Sequence, residues 1–176
     1  MMKLEGYVVT DKPFAEANLS RSQVVYKDID VPAEIVKANP SWLINHVSLE
    51  ITNPFINDPT DPFVDMGNFR DILSPHQYQT VAQKKGRLLT KTNEWVRIQE
   101  RHPEKGLMEI YHQHPKEFDK LPLWASVAYN CSGIYDHLLL SGYDGAIHAA
   151  EGPHTPVTAY HTFHPARITF IETLSV

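Results

Sequence analysis

Histidines crowd the end of this chain: His148, His154, His161 and His164 are four of the ten in 176 residues. Imidazoles on neighbouring strands can converge at metal-ligand distance when they share a face. Here no cysteine partner and no His-Glu-x-x-His helix accompanies them. His161 and His164 are three apart, so a regular strand points them to opposite faces. His112-Gln-His114 would share a face only on a strand, and its surroundings read as helix. Asp58, Asp61 and Asp65 offer oxygen ligands, but the glycine and terminal glutamate of a calcium loop are missing. They read as a solvated loop, and no metal site is expected. Ser132-Gly133 lacks the Gly-x-Ser-x-Gly setting of a serine hydrolase. Cys131 is alone, which excludes an internal disulfide, and its apolar neighbours mark it as a small buried side chain. Tyr143-Asp144-Gly145 reads as turn chemistry, with Asp-Gly taking positive φ and the tyrosine packing beneath.

The elements that must position these residues follow from periodicity. Leu4 to Thr10 reads as a strand, and Asp11 can cap a short helix beginning near Pro13. Val24 to Ile29 reads as a short strand before a break at Pro32. Ile44 to Ile51 alternates apolar and polar residues and is the clearest half-buried strand. Residues 53–66 hold three prolines and three aspartates, a density that predicts an irregular loop. Helical signals cover 74–86, with Ser74-Pro75 at its start, and 104–120. Trp95 to Glu100 fits strand or helix equally. Trp124, Val127, Ala128, Cys131, Ile134, Tyr135, Leu138 and Leu139 repeat at helical spacing and predict one long buried helix at about 122–141, with Gly142 as its C-cap. Strands are expected at 145–149 and 157–164, and Arg167 to Thr173 alternates well enough for another. Trp124, Val127, Leu138, Leu139, Ile147 and Phe163 are the expected core.

The whole, residues 1–176, reads as a single α+β domain with a mainly antiparallel sheet, large enough to bury a core without metals or disulfides. A formal charge of −5 argues against a general nucleic-acid binder. Lys84-Lys85-Gly-Arg87 with Lys91 is a short basic cluster that reads as a solvated face. No apolar run approaches the ~18 residues of a membrane span, and the first residues lack a signal-peptide core. A cytoplasmic place of synthesis is expected.

Three blocks carry a resemblance: Gly6-Tyr-Val-Val-Thr-Asp11 with Ala15 and Ala17; Val47-Ser-Leu-Glu-Ile-Thr-Asn-Pro-Phe55 with Asp58; and Gly142 to Ile168. Together they touch less than a third of the chain. In the last block Gly142-Tyr-Asp-Gly145 leads through a loop to Ala159-Tyr-His-Thr-Phe-His-Pro165. The layout resembles the ADP-ribosyltransferase-like domains of phage and prophage proteins, whose usual ending is a Gly-Tyr-Asp-Gly turn and a Glu-Tyr-apolar-apolar-Phe-Asp-Pro strand.

The resemblance implies an ADP-ribosyltransferase-like fold with NAD as substrate, and it implies that Tyr7, Thr10 and Tyr143 would line the cofactor pocket. It also withholds the catalytic residue. Ala159 stands where the family places a glutamate that stabilises an oxocarbenium-like transition state, a contact worth several kcal/mol. Glu151 is the nearby carboxylate that could substitute, although a loop surface position also suits it. The family's upstream NAD-holding strand is expected to be missing, since Gly6 follows Met1 so closely. The leading expectation is thus a catalytically degenerate module without a cofactor that binds a phage or host protein, in the host cytoplasm or the virion. Its rivals are an active transferase or NAD glycohydrolase using Glu151, and a virion structural protein in which loop 53–66 is an intersubunit arm.

Overall fold

The computed structural model describes residues 1–19, 23–58, 60–150 and 156–175. In chain order the elements are β1 (Met2–Thr10), β2 (Gln23–Tyr26), α1 (Asp30–Ala38), β3 (Leu43–Ile51), β4 (Pro54–Ile56), β5 (Phe63–Asp65) and α2 (Pro75–Lys84). They continue with α3 (Gly86–Leu89), α4 (Asn93–Arg101), α5 (Leu107–Gln113), α6 (Pro115–Phe118), β6 (Pro122–Trp124), α7 (Ala125–Ala128) and α8 (Ser132–Leu140). The strands β7 (Gly145–Ala150), β8 (Val157–Thr162) and β9 (Ile168–Leu174) close the chain. The architecture is mixed α+β with a mainly antiparallel sheet, as composition and alternation predict. Two compact units result, one from residues 1–62 and 138–176, the other from residues 63–137. No helix among the described residues is long and apolar enough to cross a membrane.

The first unit is built on a seven-stranded sheet of order β4-β7-β8-β2-β1-β3-β9, in which the β4–β7 pair is parallel. Strand alternation puts Val8, Val25, Val47, Leu49, Ile51, Tyr160 and Ile168 on one face as a buried apolar cluster, with Leu4, Phe14, Leu19 and Ile147 packed against it. β1 is an interior strand, paired with β3 over its full nine residues and with β2 on its other side. The second unit packs α2 to α6 with the antiparallel β5–β6 pair around buried Met66, Phe69, Tyr78, Leu89, Ile98, Ile110, Phe118 and Leu121. Within it the Arg70 guanidinium grips Asp119 through Nε and Nη2 at 2.6–2.9 Å, and the Tyr78 hydroxyl donates to the same carboxylate at 2.8 Å.

Four sequence expectations are corrected. The long helix at 122–141 is not continuous: Pro122–Trp124 form β6 against Phe63–Asp65, α7 follows, and the chain turns at Tyr129–Cys131 before α8 starts. The apolar stripe is real, but Asn130, Ser132 and Gly133 favour a turn and cap over a helix interior. Residues 53–66 are not wholly irregular, because the prolines bracket two three-residue strands. Pro54 opens the edge strand β4, where its missing N–H costs no ladder bond. Pro32 does not break the chain; it sits in the first turn of α1, where a proline is tolerated. The short segment after Pro13 is a 3-10 turn, Phe14–Glu16, without a side-chain cap from Asp11.

Other expectations hold. The ambiguous stretch at Trp95 resolves as α4, capped by Thr92, whose Oγ1 accepts from the Trp95 amide at 3.2 Å. Ser74 and Gln77 form a reciprocal capping box on α2. Gly142 takes φ of +89° and ends α8. Its N–H donates to Leu139 O at 2.9 Å, and the Tyr143 N–H to Leu138 O at 3.0 Å, the two bonds of a Schellman cap. The expected core does not hold: of its six residues Leu138 and Phe163 are buried, whereas Trp124, Val127, Leu139 and Ile147 are half-buried, and Trp124 and Val127 belong to the second unit.

Candidate functional site

The residues that the resemblance singles out can be located on the sheet strand by strand. Pairing registers place His148 (β7), Ala159 (β8), Tyr26 (β2), Tyr7 (β1), His46 (β3) and Glu172 (β9) in one cross-strand row. Directly paired residues share a face, so this row lies on the side of the sheet opposite the apolar cluster. Ala159, His148 and His161 are fully buried. The row's carboxylate, Glu172, is four strand spacings from Ala159, about 19 Å.

At the β1 end, Tyr7 stacks on the His46 ring at 5.2 Å between centroids. His46 in turn sits between Glu5, 3.6 Å from Nε2, and Glu172, 3.7 Å from Nδ1. At the other end the His148 and His161 rings lie 4.9 Å apart, and His148 Nδ1 meets the Ala149 carbonyl at 2.6 Å. Burial holds both imidazoles below the ordinary histidine value, His161 well below it, with His148 adding to the effect on His161. Both are neutral at pH 7.

The other expected site residues are not gathered with Tyr7. Thr10 is three residues on and therefore on the opposite face, where its hydroxyl donates to Lys12 O at 2.6 Å and accepts from Asn45 Nδ2 at 2.8 Å. Asn45 Oδ1 accepts from Thr173, so Thr10 belongs to a polar chain joining β1, β3 and β9. Tyr143 precedes β7, three strand spacings from β1, and meets the Phe55 ring edge-on at 5.4 Å. Glu151 lies outside the described residues.

Asp144 is the carboxylate that the sequence treats as turn chemistry, and it does more than turn the chain. Its side chain accepts from the Thr52 and Asn53 amides at 2.8–3.1 Å and forms an ion pair with Arg167. Its backbone N–H donates to Asn53 O, and its carbonyl accepts from Phe163 N. Burial alone would raise its pKa, but the Asn53 and Thr52 amides and the Arg167 guanidinium hold it below the ordinary aspartate value. Gly145 does not have the positive φ that the sequence suggests. Glycine is needed there for close approach, since a Cβ would stand 2.6 Å from His161 O and 2.8 Å from Ile51 Cδ1.

The four late histidines supply no described metal-ligating group. Among the described residues one such group exists, His102, His114 and Glu117, in the second unit. Sequence spacing singles out His114 only beside His112, and neither His102 nor Glu117 stands out. The chain matches no family model, no curated protein and no solved structure.

Proposed function

We propose that this chain is an ADP-ribosyltransferase-like module of phage or prophage type that has lost catalysis and acts by binding a phage or host protein. The observation that carries the reading is the assembly of the three resembling blocks, far apart in sequence, into one sheet. The Gly6–Asp11 block pairs with the Val47–Ile51 block along β1 and β3. Asp144 in the third block fixes Thr52 and Asn53 of the second and Arg167 at the end of its own.

The same sheet favours binding over chemistry. Oxocarbenium stabilisation needs a carboxylate beside the ribose, and the strand position expected to supply it holds a sealed methyl group, Ala159. Adding a glutamate there does not rebuild an enzyme. It inserts extra atoms and a charge into a filled site, and overpacking alone costs about 1–3 kcal/mol.

The test incubates the purified chain with NAD and host lysate and looks for ADP-ribose on proteins by mass spectrometry. No modification is expected from the wild type. Ala159→Glu is expected to melt lower and still transfer nothing. Transfer by the wild type that disappears in Glu151→Ala would establish the displaced-carboxylate enzyme instead. The binding role is checked by whether the chain co-purifies with a defined partner or with particles.

A further inference from the structure

Three helix ends of the second unit bring His102, His114 and Glu117 together. His102 caps the C-terminus of α4, one turn after buried Ile98, and its N–H donates to Ile98 O at 2.9 Å. His114 sits between α5 and α6, one turn after buried Ile110, with its N–H on Ile110 O at 2.8 Å. Glu117 lies in α6 beside fully buried Phe118. Each side chain therefore projects from backbone anchored in the core. Gln99 Nε2 ties the connecting loop down by donating to Lys105 O at 2.7 Å.

His102 Nε2 donates to Glu117 Oε1 at 3.1 Å, and the His102 and His114 rings stack at 4.0 Å between centroids. One nitrogen from each ring and one glutamate oxygen all fall within 4.8 Å of one another. Zn–N and Zn–O bonds of about 2.0–2.1 Å in tetrahedral geometry put ligand atoms about 3.4 Å apart. The His102–Glu117 pair is already at that spacing, and His114 joins it only by leaving its stack on His102 and its bond to Lys105. The remaining carboxylate oxygen, Glu117 Oε2, accepts from Arg101 Nε and Nη2 at 3.2 and 3.0 Å, which orients the carboxylate as outer-shell partners of metal ligands do. Arg101 also faces Glu94 at 4.0 Å, so its own charge is shared.

Lys105 decides between an ion-pair knot and a metal site. Its Nζ donates to His114 Nε2 at 2.8 Å and to Gln113 Oε1 at 2.7 Å. An ammonium can only donate, so His114 Nε2 carries a free lone pair, and the position facing it is one that a cation fills. The lysine tail is long and flexible and can leave.

We propose that His102, His114 and Glu117 form a three-ligand site for zinc, with the Lys105 ammonium standing in the cation's place when the metal is away. Two imidazoles and one carboxylate suit a borderline divalent ion such as zinc better than calcium or magnesium, which take oxygen donors. A fourth position is left for water or an exogenous ligand. The site is independent of the sheet and of the binding role proposed above.

The experiment strips the tag-free full chain with chelator and titrates zinc chloride in competition with a chromogenic zinc indicator. One equivalent is expected to bind and to raise the melting midpoint. His114→Ala should weaken binding by more than the about 10–100-fold typical of losing an outer-shell partner, with the metal-free melt showing that the variant folds. Lys105→Met should tighten binding by about fivefold or more, because it removes a like charge beside the ion. No stoichiometric binding, binding unchanged in His114→Ala, or binding weakened in Lys105→Met would each overturn the assignment.

Discussion

Asp144 and the buried histidine pair show how single residues set the acid stability of the sheet. The Asp144 carboxylate has a depressed folded-state pKa, so its contribution is fully present above the unfolded value of about 3.9 and is lost as pH falls through the folded value. Asp144→Asn keeps the shape and removes the charge. It is expected to cost about 1.5–3 kcal/mol at pH 7, the range for hydrogen bonds to a charged group, and to flatten the stability curve below about pH 4. His148 and His161 act in a higher window. Their folded values are also depressed, so the unfolded chain binds more protons once pH drops below about 6.5. Stability should then fall with pH by up to about 1.4 kcal/mol per unit for each group. Urea midpoints between pH 7 and 5 check this, and His161→Gln should show a shallower slope than wild type; an unchanged slope would remove His161 from the account. Locally, the turn was legible in the sequence but its place was not: the positive φ falls at Gly142, and Gly145 opens β7. The role of Asp144 was hidden as well, because Asn53 lies 91 residues before Asp144, and only strand pairing brings the two together.

Among the elements, β3 was the most legible because Val47, Leu49 and Ile51 alternate onto the apolar cluster, while His46 and Glu50 on the other face stay half-buried. The Schellman end at Gly142 was legible too, since glycine after an apolar helical run has few other uses. The break in the predicted long helix was not. Leu123 and Trp124 satisfy a helical stripe equally well, and it is pairing with Val64 and Phe63, with the Phe63 and Trp124 rings 4.2 Å apart, that makes them a strand. The zinc-site residues were invisible for a related reason. His102 and Glu117 meet only through the turn of α5 and α6, and no short motif records that geometry. Burial separates structural from idle apolar residues at this scale. Leu49, fully buried in the sheet cluster, should cost about 2–5 kcal/mol on truncation to alanine. Leu140, 90% exposed at the end of α8, should cost almost nothing on the same change. Thermal melts of the two variants compare them directly, and equal losses would contradict the burial assigned to each.

For the molecule as a whole, the account rests on a sheet that gathers three separated sequence blocks and on Ala159, a residue unable to do the chemistry those blocks suggest. An enzyme that breaks the nicotinamide–ribose bond must stabilise positive charge on the sugar, and removing one electrostatic stabiliser of that kind costs about 10²–10³ in rate. The direct measurement is nicotinamide release from NAD by the purified chain, followed by chromatography over hours at high protein concentration, beside a protein-free control and Glu151→Ala. The account predicts release at the control rate from both proteins. Sustained release by the wild type, well above control and abolished in Glu151→Ala, would contradict it.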